Sequence, residues 1–413
     1  MRLALPCAVA LLIGAPVHAQ KAVHCNAVHG ALLIEEKPGK WDAVKPKSDI
    51  PAEKLVIALF GAELQAPDGA VDVKLVADVG QRGPFASLEA RARFHVPKDT
   101  DLDVSLERGI AVIANAKKSG EAKVALRVGQ DVFEITLPEP KSRVGIEVHG
   151  RHMPGPPTLK SEAPVVTMLI FALEGDAVVS NGKQATRLTA PPGASLYMWD
   201  SISHSVDVQR FEKLPDFAKP FSAKEKELFE MVCHCAKPLA DKPGAIRDTL
   251  DKLISSDEPK ERKTAVVCMG ALDDMPGMLS ALGDPKHADV RDMAVLTLRH
   301  WIGRGPGQAE RWDAFLLKQG YTAKQAKNML YLLRGIEEAK LRQPATYDVL
   351  IGALNHKKIE ARELAHWHLI RLVPGGNKIA YDAAAPEAER LQAIAAFRRL
   401  VPEGELPMPP KKN

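Results

Sequence analysis

Hydrophobic residues follow two different periods along the chain, and the change falls near residue 211. Before it, apolar positions alternate with polar ones at Leu55, Ile57 and Leu59, at Val71, Val73 and Leu75, and at Val124, Leu126 and Val128. The same alternation returns at Phe133, Ile135 and Leu137 and at Val144, Ile146 and Val148. A period of two puts successive side chains on opposite faces, so each run predicts a half-buried strand. Arg108-Gly109 is expected to turn between a strand through Val104 and Leu106 and one through Ile110 and Val112. Asn181-Gly182 is a hairpin signal. Strands of about six residues with tight turns and no helices between them predict an antiparallel sandwich or barrel over residues 53–210. The loop from His152 to Pro157 divides two sheets or two half-domains on this reading.

From Ser222 onward the apolar spacing is helical. Ser222 caps a charged first turn, and helices are expected near 244–255, 258–272, 275–282, 287–302, 308–318, 322–336, 344–354, 358–372 and 386–401. Pro276, Pro306, Pro374 and Gly375-Gly376 mark breaks. The plan is a signal peptide (1–19), an extended lead-in (20–52), a β domain (53–210), a linker (211–221), a helical domain (222–403) and a disordered tail (404–413). Such a plan expects two independently folding units, separable at 211–221.

Three stretches of the helical part share one spacing: Leu250, Arg262, Ala265, Met269; then Leu279, Arg291, Ala294, Leu298; then Leu350, Arg362, Ala365, Leu369. The leucine faces its partner helix, a polar turn follows, and the arginine opens the second helix. Alanine allows close approach there, and the last residue fills the layer between helix pairs. The pattern resembles HEAT repeats, which stack helix pairs into an α-solenoid and present one curved face to proteins or extended ligands. A degenerate copy is expected over 308–336, with Lys327 in place of the arginine. The arginines are expected to support the stack, and Ala385 to Leu400, carrying Arg390, Arg398 and Arg399, to close it.

The runs LDVSLERGIAVIANAKKSGEAKVALRVGQDVFEITLPEPKSRVGIEVHGR and LIFALEGDAVVSNGKQATRLTAPPGASLYMW resemble the FecR-type β-domain of exported bacterial regulators, including the Leu173 and Gly175 turn and Pro192-Gly193. That resemblance implies a periplasmic module that relays signals by contacting other proteins. The chain departs from those regulators in having no cytoplasmic segment ahead of a membrane helix, which argues against sigma-factor control.

Composition narrows the setting. MRLALPCAVALLIGAPVHAQ has one positive residue, an apolar run and Val17 and Ala19 before the cut, the plan of a cleaved secretory leader. The expected location is the periplasm or the extracellular space, with no membrane span after cleavage. A formal charge of +4 gives no strong pull toward nucleic acid. Cys25, Cys233, Cys235 and Cys268 are too few for a disulfide scaffold in a chain this long.

Candidate chemistry is sparse. Cys233, His234 and Cys235 are adjacent on a helix and cannot converge on one ion, so a structural role is expected. His149 and His152 end a strand without a nearby acid and are expected as exposed imidazoles in a turn. His366 and His368 flank Trp367, one buried and one exposed. Ser195 lacks a nucleophile elbow, Gly303 to Gly307 lacks the Lys-Ser or Lys-Thr of a phosphate loop, and Asp78 and Glu89 form a carboxylate pair only if the fold joins them. No catalytic, cofactor or metal residue is expected; an enzyme would require polar groups converging in a pocket. The expected function is that of an exported, non-enzymatic scaffold with a protein partner on the helices and an envelope component on the β module. The alternative is a small ligand, a glycan or a metal chelate, bound by the β module in a concave aromatic-lined site, for which Phe85, Phe94, Phe133, Phe171, Tyr197 and Trp199 are the local candidates.

Overall fold

The computed structural model describes residues 20–77, 89–156 and 163–408. The expected leader, Asp78, Phe85 and the end of the tail lie outside them. Among the described residues seventeen strands, numbered in chain order, form two stacked, unclosed layers. The first layer runs β4 (Ser48–Pro51), β1 (Lys21–Val28), β6 (Ala62–Gln65), β7 (Val71–Val76), β9 (Leu102–Asn115), β12 (Arg143–Arg151), β13 (Val165–Glu174), β16 (Ala194–Asp200) and β17 (Val206–Arg210). The second runs β3 (Lys40–Ala43), β2 (Ala31–Lys37), β5 (Leu55–Leu59), β8 (Ala90–His95), β9 again, β10 (Ala122–Val128), β11 (Asp131–Leu137), β14 (Asp176–Ser180) and β15 (Ala185–Thr189). Neighbours pair antiparallel except β9 with β10.

Strand β9 belongs to both layers. Up to Arg108 it pairs with β8 and β10, and from Gly109 it pairs with β7 and β12. The expected turn at Arg108-Gly109 is therefore a bend inside one long strand. Gly109 has φ +95°, and a Cβ there would lie 2.3 Å from the Glu89 carbonyl oxygen. Only glycine combines that torsion with so close an approach. Between the layers, Leu64, Val73, Ile113, Ile146 and Ile170 from one side meet Val56, Phe94, Leu126, Phe133 and Val179 from the other in one continuous core.

Residues 20–52, expected as an extended lead-in, are instead β1 to β4. Val23, Cys25, Leu32, Ile34 and Ile50 enter the core, while the Lys- and Pro-rich residues between them make the turns. Trp41 packs toward the helices.

The helical region comprises α1 (Ala223–Asp241), α2 (Ile246–Ile254), α3 (Pro259–Ala271), α4 (Met275–Leu282), α5 (Ala288–Ile302), α6 (Gln308–Lys318), α7 (Ala323–Arg334), α8 (Glu338–Leu341), α9 (Pro344–Ala353), α10 (Ile359–Leu372) and α11 (Glu387–Leu400). The β-then-α layout matches the sequence expectation, and Ser222 caps α1 in a reciprocal box with Glu225. The single turn α8 had no periodic signal.

The two regions share a core. Ala31, Leu33, Leu55, Ile57 and Leu59, on the outer face of the second layer, pack with Ala236, Leu239, Ala265 and Val266 of α1 and α3. All five residues of β5 are buried, so LVIAL is a doubly covered strand and its alternation understated its burial. Residues 211–221, expected as a linker, lie across the first layer. The Phe217 ring packs against Phe171, and a Cβ on Gly145 would meet it at 2.7 Å.

Candidate functional site

The arginines of the repeated spacing do equivalent work. Arg262 donates through Nη1 to the carbonyls of Ser256 and Asp257, at 2.8 and 2.9 Å. Arg291 donates to the Asp284 carbonyl at 2.7 Å, and Arg362 to those of His356 and Lys357. Each guanidinium thus satisfies the turn ahead of its own helix and then reaches onward. Arg262 pairs with Asp289 of α5, and Arg291 pairs with Glu363 of α10. Arg390 repeats the device on Ala385, with Ala393 and Phe397 at the matching positions. The sequence carries that signal as Arg390, Ala393 and Phe397, in the segment expected to close the array.

One helix pair breaks the order. The ion pair from Arg291 to Glu363 links α5 directly to α10, passing over α6 and α7. Lys327 does not stand in for the arginine; it is exposed midway along α7, where Ala323, Ala326 and Leu330 keep the spacing. With α7 displaced and α8 inserted, the faces of α7 and α9 are held apart. Between them opens a groove of about 420 Å³ lined by Met329, Leu332, Ile336, Val349 and Leu350, with Lys340 and Lys358 also lining it. Val349 is 71% exposed, an unusual position for a valine in a packed helix pair. Lys358 Nζ lies 3.8 Å from the Tyr321 ring centroid. Among the described lining residues none is acidic.

A second concavity, of about 830 Å³, lies on the outer face of the first β layer beside residues 211–219. Phe171, Phe211 and Phe217 line it with Leu169, Leu196 and Met198. Of the described aromatics expected to line a ligand site, only Phe171 does so. Phe94, Phe133, Tyr197 and Trp199 point into the core between the layers.

The remaining sequence candidates resolve individually. Cys233 and Cys235 are buried and free, and their thiols are pushed up by burial, to about 12 and about 11. Cys233 approaches the Phe60 carbonyl and Cys235 the Met231 sulfur. His149 and His152 are not exposed: both are buried where the end of β12 meets the helices, and burial lowers His149 to about 3. His152 faces Arg334 at 3.2 Å. His368 is buried against the Leu332 carbonyl, at 2.8 Å, and His366 is mostly covered beside Tyr381. Ser195 is buried in β16. No three His, Cys, Asp or Glu side chains among the described residues are grouped to hold a metal ion.

Gly303 to Gly307 and Glu89 meet at the joint between the regions. A Cβ on Gly150 would lie 2.0 Å from the Gly303 carbonyl oxygen, so β12 and the loop touch backbone to backbone. That approach lets Arg304 reach Glu89 at 2.6 Å, where Arg108 also binds it and His300 stands 3.7 Å away. Burial would raise the Glu89 carboxyl, but the two guanidiniums outweigh it and hold it well below the carboxylate range. Burial and Arg108 push Arg304 down to about 9. Asp273 accepts from Trp301 Nε1 at 2.7 Å and extends the network. Glu89, Arg108 and Arg304 are enclosed, Asp273 reaches the surface, and together they join β8 and β9 to the ends of α3 and α5.

One further constellation, with no motif in the sequence, lies on the solvent face of the second layer. His95 Nδ1 lies 2.8 Å from Glu53 Oε1, and His95 Nε2 lies 2.7 Å from Ser105 Oγ. His95 and Ser105 share the polar face of β8 and β9, which alternation does reveal. Glu53, in the turn between β4 and β5, is brought in only by the fold.

No protein-family model matches the chain, and neither a curated protein nor a solved structure significantly similar to it was found.

Proposed function

We propose that the chain is an exported scaffold that holds a protein partner on its helical region, with the β region facing a component of the cell envelope. The leader-like first residues and the resemblances to FecR-type domains and HEAT repeats support that setting. Among the described residues no helix is long and apolar enough to cross a membrane. The observation that carries the reading is the groove between α7 and α9. Its apolar floor matches the stripe of an amphipathic helix, and its lysines match acidic residues beside that stripe.

The test is a titration with synthetic amphipathic helices that share one apolar face and differ in whether the polar face is acidic or basic. The acidic helix is expected to bind, the basic one not, and Val349→Glu to weaken binding about tenfold or more. Equal binding of both helices, or none, removes the reading. The outer β cleft with its three phenylalanines favours a second function, small-ligand binding. It takes precedence if no helix binds and apolar ligands raise the melting temperature of the intact protein but not of Phe217→Ala.

A further inference from the structure

The geometry points to a serine hydrolase site at Ser105, with His95 as general base and Glu53 as the residue that positions it. This goes beyond the scaffold reading and stands apart from the groove. A carboxylate only accepts hydrogen bonds, so Glu53 requires the proton of a neutral His95 on Nδ1. In that tautomer the lone pair is on Nε2, 2.7 Å from Ser105 Oγ, and the serine hydroxyl is the donor. That tautomer and that direction are what abstraction of the serine proton needs.

The surroundings hold the arrangement in place. Glu53 has φ +65°, kept there by its N–H donating to the Phe94 carbonyl at 2.8 Å and by Arg93 donating to its own carbonyl. Arg93 and Arg127 flank Ser105 in register on the neighbouring strands. Arg127 gives Nε and Nη2 to Asp103, both at 2.7 Å, which fixes its guanidinium beside the strand that carries Ser105. Beside them lies a cleft of about 530 Å³ lined by Glu53 and His95, by the carboxylates of Asp99, Asp103 and Glu134, and by Lys98 and Arg127. Its polar walls and excess of carboxylates suit small, polar, uncharged or cationic carboxylic esters and disfavour anionic ones.

In the reaction, Ser105 Oγ bonds to the acyl carbon while its proton passes to His95 Nε2. The ester C–O bond breaks as that proton moves to the departing alcohol. Water then attacks the acyl-serine, gives one proton to His95, and releases the acid as Ser105 regains its proton.

The experiment treats the intact protein with a fluorophosphonate ester, maps the adduct by peptide mass, and follows p-nitrophenyl acetate hydrolysis in parallel. The expected result is an adduct on Ser105, lost in Ser105→Ala, with labelling slowed about 100-fold or more in His95→Gln. Glu53→Gln should slow it and Glu53→Asp should partly restore it, a split that a merely structural glutamate would not give. No adduct on Ser105 in the unaltered protein overturns the inference, whatever the variants do. So does a rate indifferent to His95→Gln in a variant that folds, which would leave the three residues as a polar ladder tying the β4–β5 turn to the sheet.

Discussion

His368 shows how burial alone sets a pH response. Its ring is enclosed between α7 and α10 and hydrogen-bonds the Leu332 carbonyl, and burial lowers it from 6.5 to about 4. A group depressed in the folded state stabilises the fold fully above its unfolded value and loses that contribution as the pH falls through the folded one. The chain should therefore lose about 3 kcal/mol of stability from this residue between pH about 6.5 and about 4. Urea unfolding across that range is expected to show a shallower decline in His368→Gln. An unchanged slope would mean that His368 is solvated. The sequence placed a histidine beside Trp367 in the core but not which one, because helical spacing alone ranks neither position. The burial of His149 and His152 is hidden from the sequence for a related reason. The helices that cover them are distant in sequence, and nothing in HGRHMPG announces the cover.

At the scale of elements, Gly150 of β12 and Gly303 after α5 bring two backbones into direct contact. Gly303 has an ordinary torsion, so an added methyl acts only by contact, 2.4 Å from the Gly150 carbonyl oxygen. Gly303→Ala is expected to cost about 1–3 kcal/mol in urea unfolding, as overpacking does. A silent substitution would mean that the joint gives way easily. The elements themselves were largely legible. Helix limits followed from apolar period and proline breaks, and strand cores from alternation. Two kinds of feature were not. In residues 20–52, Lys and Pro between short apolar runs resemble a linker, although those residues make turns. Gly109 was given a turn because sequence cannot distinguish a reversal from a bend that moves a strand between layers. The groove was foreshadowed only indirectly, by the irregular copy at 308–336, whose displaced helix leaves it open.

For the molecule as a whole, the shared core argues against separability. The outer face of β2 and β5 is covered by α1 and α3, and the enclosed Glu89, Arg108 and Arg304 cluster spans the same joint. Cutting the chain at 211–221 would expose Leu33, Leu55, Ile57 and Leu59 on one fragment and strand buried charges on both. The intact protein is expected to unfold in one calorimetric transition, with fragments 20–210 and 222–408 insoluble alone. Two resolved transitions, or a stable isolated β fragment, would contradict this.

Strand β9 carries a mechanical consequence. It lies midway across both layers and passes from one to the other at Gly109 without a chain break. A tug on an edge strand is therefore transmitted between the sheets through covalent bonds, where a simple sandwich would rely on side-chain packing. Pulled from its ends, the β region should resist as a single mechanical element, with β9 as its keel.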